Sequence, residues 1–147
     1  MSSTTADHLA AVDLLRTRDL PEERGRSSAG SWGPGYVIAE LLTSEDFWDE
    51  DLTLVEEVEE QYDAELTALA LVLTERWGPP DIFSLWSLAT RSASGEHIPD
   101  PWSELSMSVA NLHLWQRDGR WIALGVGQQD RELPFQLLAV ATTVDPP

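Results

Sequence analysis

The chain has 147 residues and a net charge of −17, because 26 acidic residues stand against nine arginines, and it has no cysteine. Direct binding to nucleic acid or to anionic lipid is therefore not expected, since both attract basic residues. The 42% hydrophobic content and seven tryptophans exclude an intrinsically disordered chain, and the lack of cysteine excludes a disulfide scaffold.

Length and apolar pattern favour one cytoplasmic domain, residues 1–147. A chain of this size can bury a core of its own. The first residues lack a basic stretch followed by an apolar run, and the longest apolar run, residues 68–73, is too short to span a bilayer. No membrane segment is expected.

The N-terminal third alternates between predicted helix and loop. Leu9, Val12 and Leu15 recur at three-residue spacing and predict a short amphipathic helix over residues 7–18. Residues 19–35 are rich in Gly, Ser and Pro and predict a mobile surface loop. Residues 36–43 carry apolar residues on a helical stripe, although so short a segment is also compatible with a strand.

Residues 53–77 carry the clearest helix pattern. Thr53 and Glu56 have the spacing of a capping box, and Gly78 follows at the position that helix ends favour. One face is apolar at three- and four-residue spacing and should be buried. It comprises Val55, Val58, Tyr62, Leu66, Leu69 and Leu73.

The second half of the chain predicts strands over residues 82–90, 105–109, 111–117, 120–127 and 135–144. Asp118-Gly119 is typical of a two-residue hairpin turn and would pair Trp115 with Ile122. Both faces of that hairpin are mainly apolar, so either the chain covers both or one face meets a partner. The order predicts an α+β fold, with N-terminal helices packed on a C-terminal antiparallel sheet of about four to five strands.

Acidic residues are concentrated in residues 40–65, where no basic residue occurs. The non-functional interpretation is a solvated helix face whose charge is screened by Arg16, Arg18, Arg24 and Arg26. The functional interpretation is a docking surface whose field steers a basic partner and whose aromatic residues anchor it. The predicted partner-binding residues are Asp46, Phe47, Trp48, Asp49, Asp51, Glu56, Glu59, Glu60, Tyr62 and Asp63.

Motifs for chemistry are weak throughout the sequence. Asp49 and Asp51 have the first spacings of a calcium loop, but Leu54 stands where glycine is required. Gly125 and Gly127 begin a dinucleotide fingerprint that is not completed. The histidines, His8, His97 and His113, have no metal-ligand spacing, and Glu96, His97 and Asp100 form only a loop cluster that could hold an ion or assist acid–base chemistry. No catalytic residue, metal or cofactor is predicted.

The C-terminal half also carries a resemblance. Trp115, Asp118-Gly119-Arg120-Trp121 and residues 133–138 resemble the corresponding run of small acidic proteins from actinobacteria, a likeness that implies no activity. In size, acidity and tryptophan content the chain is similar to immunity proteins that neutralise secreted bacterial toxins. That likeness implies a basic protein partner.

Three functional hypotheses follow. The first is an acidic protein-binding module, an immunity protein or inhibitor that occupies the basic surface of a partner such as a nuclease toxin. The second is a small-ligand-binding or enzymatic domain with a pocket between the sheet and the Trp-bearing loops, titrated by His97 or His113. The third is a subunit of a larger assembly that uses the apolar hairpin as its contact.

Overall fold

The computed structural model of the protein describes residues 2–44, 52–129 and 133–147. These residues form four α-helices and one seven-stranded antiparallel sheet. The helices are α1 (Ser2–Thr17), α2 (Leu52–Trp77), α3 (Trp86–Ala93) and α4 (Trp102–Ser106). The strands are β1 (Gly25–Ser27), β2 (Gly30–Gly33), β3 (Tyr36–Thr43), β4 (Asp81–Ser84), β5 (Asn111–Arg117), β6 (Arg120–Gln128) and β7 (Phe135–Thr142).

The strand order is β1-β2-β3-β7-β6-β5-β4, which places β7 at the centre and β1 and β4 at the two edges. Helices cover both faces of the sheet. On one face, α1 and α2 pack on Val37, Ile122 and Ala139. On the other face, α3 and α4 pack on Ile38 and Val140. These two residues follow Val37 and Ala139 in the chain, and successive side chains of a strand point to opposite faces. Of the two alternatives for the hairpin, the structure shows the first, with helices of the chain covering both faces.

Helix α2 begins at Leu52, one residue before the predicted start, and ends at Trp77 as predicted. Thr53 is therefore inside the helix and does not precede it. Gly78 follows with a φ of +90°, which glycine adopts without strain, and its amide donates to the Thr74 carbonyl at 2.8 Å. The predicted apolar stripe faces the sheet. No helix among the described residues combines the length and the apolar character needed to cross a membrane.

The predicted hairpin of β5 and β6 is confirmed with its register. Trp115 pairs with Ile122, and His113 pairs with Leu124. The turn residues Asp118 and Gly119 have φ values of +55° and +78°. Positive φ at both central positions is what a two-residue hairpin turn of this kind requires, so local sequence alone determines this element.

The N-terminal part of the sheet was not predicted. Strands β1 and β2 lie within residues 19–35, where the sequence predicts a loop, and β3 is a strand where the helical stripe was favoured. Strand β3 is flanked by β2 and β7, so its apolar residues face both covered surfaces and mimic a helical stripe. The sheet therefore has seven strands instead of four to five, and three of them are N-terminal. The mobility of residues 19–35 stays a prediction.

Two predicted strands were wrong in whole or in part. Strand β4 ends at Ser84, and α3 occupies the remainder of the predicted strand over residues 82–90. Leu85 and Leu88 are buried at three-residue spacing, which is helical. Residues 105–109 contain the end of α4 and one isolated bridge at Val109, because Trp102 and Leu105 point together into the core and Met107 is exposed.

Candidate functional site

The acidic half of α2 consists of Glu56, Glu57, Glu59, Glu60 and Asp63, and all five side chains are exposed. Glu57 and Glu60 lie opposite the buried stripe, whereas Glu59 and Asp63 lie beside it, because the helix turns about 100° per residue. Glu56 and Glu60, and likewise Glu59 and Asp63, are four residues apart. Their carboxylates are therefore neighbours of like charge on the helix surface.

Tyr62 is the exception among the described residues that the sequence assigns to the partner surface. It is 4% exposed and packs in the core against Phe135, with ring centroids 6.2 Å apart. Burial raises the pKa of Tyr62, and the charge of Glu65 raises it further. Tyr62 packs α2 against β7 and is buried from a partner. Its assignment to the partner-binding surface is therefore corrected.

The remaining predicted contacts, Asp46, Phe47, Trp48, Asp49 and Asp51, lie outside the described residues. The described part of the predicted surface is therefore Glu56, Glu59, Glu60 and Asp63.

No described cation pairs with this acidic half. The ion pairs in residues 2–44, 52–129 and 133–147 join Arg16, Arg24, Arg76 and Arg91 to carboxylates elsewhere. Arg16 bonds Asp13 at 3.2 Å and Asp118 at 3.0 Å, and its guanidinium lies 5.5 Å from the ring of Trp77. Arg24 bonds Asp100 at 3.1 Å. Two of the four arginines expected to screen the helix are thus engaged with other carboxylates.

Four arginines meet at the other end of α2, and we call this region the arginine end: Arg16, Arg76, Arg117 and Arg120. From Glu56 to Arg76 is about 30 Å along the axis at 1.5 Å per residue. The Debye length at physiological ionic strength is about 8 Å, so these cations do not neutralise the acidic half.

The acidic half borders a groove between α2 and the sheet. The cavity measures about 460 Å³. Glu59, Asp63 and Leu66 form its helix wall at four- and three-residue spacing. The opposite wall carries Asn111 and His113 of β5 and Gln128 of β6. We call this cavity the helix groove.

His113, which the sequence suggested as a possible titrating group of a ligand pocket, gives the helix groove a polar side chain. Its ring stacks on Trp115 with centroids 6.4 Å apart, and its Nδ1 atom is buried with no hydrogen-bond partner in the described part of the chain. Burial lowers the pKa of His113, so the ring is neutral at neutral pH. The helix groove therefore combines carboxylates with a neutral imidazole, and none of its described lining residues is cationic.

The loop cluster of Glu96, His97 and Asp100 borders a separate cavity of about 430 Å³. Glu96 is held by Arg91, which lowers the pKa of Glu96. Asp100 accepts from Arg24 and from the Glu104 amide, at 3.1 and 3.2 Å. Both carboxylates are thus committed to contacts within the chain. Across the described ranges, no group of three or more ionisable side chains could hold a metal ion.

Comparisons with known proteins add no relative. No family model matches the chain, and neither the curated proteins nor the solved structures contain a match. The resemblances drawn from the C-terminal residues and from composition stay hypotheses.

Proposed function

We propose that the protein is an acidic docking module of the cytoplasm, whose α2 surface occupies a basic surface on a protein partner. The observation that carries this proposal is the uncompensated charge of Glu56, Glu59, Glu60 and Asp63, none of which is in an ion pair with a described residue. Charge of this kind accelerates encounter with a cationic surface and selects against anionic ones.

The helix groove supports the same partner chemistry. A guanidinium or ammonium group entering between Glu59 and Asp63 would find carboxylate acceptors on one wall and the neutral ring of His113 on the other. Charge-assisted hydrogen bonds to carboxylates are about twice as strong as neutral ones. A partner that presents arginine or lysine side chains, as a nuclease does at its nucleic-acid site, fits this surface. The protein would then act as an immunity protein or inhibitor.

The hypothesis of a subunit that uses the apolar hairpin as its contact has no support from the hairpin's surroundings. Trp115, Ile122 and Leu124 are buried beneath α1 and α2, and Leu112, Leu114 and Ala123 are buried on the face that α3 and α4 cover. The hairpin is thus covered by the chain's own helices and does not offer an apolar contact.

Capture from a cell extract with two charge-matched variants tests the proposal. The acidic-half variant carries Glu56→Gln, Glu59→Gln and Glu60→Gln. The matched variant removes three exposed charges elsewhere, with Glu22→Gln, Glu23→Gln and Glu75→Gln. A basic protein bound by the wild type and the matched variant, but lost from the acidic-half variant, is the expected result.

The captured protein is then identified and purified for stopped-flow measurements. Its association rate with the wild type should fall steeply between about 50 and 500 mM salt. Equal capture by both triple variants, or an association rate that does not respond to salt, would contradict the proposal.

A further inference from the structure

A third cavity lies on the opposite face of the sheet from α2, beside the end of α4, and is lined by residues of β1, β2, β3 and β7. It measures about 300 Å³, and we call it the sheet hollow. That volume is at the small end of the range of about 300 to 1,000 Å³ that ligand pockets span. The sheet hollow can therefore hold a small molecule but not a nucleotide-sized one.

Strand pairing explains which side chains meet there. Arg26 pairs with Ser31, and Ser31 pairs with Ile38, so the three form one row across β1, β2 and β3. Residues paired across an antiparallel sheet point to the same face. Glu40 and Leu138 form the next row, and Gln136 lies two residues from Leu138 on the same face. Neighbouring rows thus bring a cation, a carboxylate and an amide over an apolar floor.

Glu104 of α4 adds a second carboxylate at the wall of the sheet hollow. The buried hydroxyl of Ser31 donates to its Oε2 atom at 2.6 Å, and the Glu104 amide donates to Asp100 at 3.2 Å. One oxygen of Glu104 is thereby fixed by the fold. The other oxygen has no hydrogen bond to the described residues and remains available to a ligand.

Arg26 provides the opposite charge. Its side chain is exposed and is in no ion pair among the residues that the structure describes. A guanidinium binds a carboxylate through two parallel hydrogen bonds, which fixes the ligand's orientation as well as its charge. The floor of Ile38, Leu105 and Leu138 is apolar.

We infer that the sheet hollow binds a small zwitterion with an apolar side chain, that is, an α-amino acid of the leucine or methionine type. Glu104 and Glu40 receive the ammonium group, Arg26 receives the carboxylate, and the side chain covers Ile38 and Leu138. A simple cation would leave Arg26 unpaired, and a simple carboxylate would face two glutamates. The inference is independent of the docking function, because the helix groove lies on the other face of the sheet.

Isothermal titration calorimetry tests the inference with L-leucine, L-isoleucine and L-methionine as probes. 3-Methylbutylamine and 4-methylpentanoate are the controls, since each keeps the branched chain of leucine but has only one of its charges. Saturable binding of at least one amino acid is expected, at least tenfold tighter than that of either control. No saturable binding of any of the three, or equal binding of the amine, would overturn the inference.

Two arginine variants test whether the amino acid binds in the sheet hollow. Arg26→Gln should weaken the amino acid at least tenfold and leave the weak binding of the amine unchanged. Arg26 is exposed on an edge strand, so its replacement leaves the core intact. Arg18→Gln is the matched control, because Arg18 is exposed and does not line the sheet hollow, so this variant should leave the affinity unchanged. Equal loss in both arginine variants would also overturn the inference.

Discussion

The two ends of α2 carry charge of opposite sign and differ in whether the charged side chains have partners within the chain. At the arginine end, cations meet carboxylates, carbonyls and an aromatic face. Arg76 lies 3.6 Å from Asp13, Arg120 donates to the Leu15 and Arg18 carbonyls at 2.9 Å, and Arg117 lies 5.8 Å from the ring of Trp77. At the acidic half, Glu56, Glu59, Glu60 and Asp63 have no such partner among the described residues.

This difference separates charge used for folding from charge left for a partner. Cations near the C-terminal end of a helix stabilise it, and Arg120 caps the last carbonyls of α1 in this way. Acids beyond the first turn gain little from the helix dipole, so the repulsion between Glu59 and Asp63 and between Glu56 and Glu60 is not offset by it. We therefore expect substitutions at the two ends of α2 to change stability with opposite signs.

The largest effect on stability is expected at Trp115, which packs next to the arginine end. Trp115 is 4% exposed, donates to the Gly78 carbonyl at 2.9 Å and meets Trp77 edge-on. Trp115→Ala should lower the free energy of unfolding by about 3 to 5 kcal/mol, measured by urea denaturation. Trp86→Ala is the control, since Trp86 is 73% exposed and its loss should cost no more than about 0.5 kcal/mol. Similar losses in both variants would contradict the assignment of Trp115 to the core.

A smaller loss is expected from Arg16→Gln. Arg16 makes two ion pairs and a cation–π contact, and its side chain is 27% exposed. Its replacement should cost about 1 kcal/mol, because partly exposed pairs are weak individually and act here together. Part of this loss should disappear in 1 M salt. Arg26→Gln, which breaks no ion pair with a described residue, should leave stability unchanged, and an equal loss there would argue against the arginine end as a stabilising network.

At the acidic half the sign should reverse. Glu60 has Glu56, Glu57 and Asp63 at three- or four-residue spacing, so Glu60→Gln relieves like-charge repulsion. The free energy of unfolding should rise by about 0.5 kcal/mol at low salt and by less at high salt. Glu22→Gln, an exposed change outside the helices, is the control. Destabilisation by Glu60→Gln would show that an internal partner holds this carboxylate.

The pH dependence of stability should reveal His113. Its pKa is lowered in the folded chain by burial, so the unfolded chain takes up this proton first as the pH falls below about 6.5. The stabilising contribution is complete above that pH and is lost as the pH falls through the folded pKa. His113→Gln should flatten the urea-derived stability profile between about pH 7 and pH 5. His97→Gln controls for the loss of one histidine, and an unchanged slope in His113→Gln would contradict a buried neutral ring.

Local signals made part of this fold predictable. The hairpin follows from Asp118-Gly119 and the apolar alternation around it, and α2 follows from a stripe that extends from Val55 to Leu73. Strands β1 and β2 have no such signal, because they are three and four residues long and contain Gly25, Gly30 and Gly33. They are strands because β2 pairs with β3 and β1 pairs with β2, a pairing that composition does not reveal.

The candidate site was predictable in charge but not in shape. The sequence placed exposed acids on α2 and put Tyr62 both on the buried stripe and on the partner surface, and its packing against Phe135 agrees with the stripe. The helix groove depends on α2 lying beside β5 and β6, which are distant from α2 in the chain. The sheet hollow likewise depends on Arg26 and Glu104, which only the folded sheet and α4 bring together.

Amide chemical-shift mapping shows whether the acidic half of α2 is open to external cations. An octa-arginine peptide is titrated into the ¹⁵N-labelled protein at about 50 mM salt, with a glycine–serine peptide of equal length as control. We expect shifts concentrated at residues 56–66, 111–113 and 126–128, absent from the acidic-half variant and retained in the matched variant. Shifts spread evenly over all exposed acids, or unchanged in the acidic-half variant, would contradict this expectation.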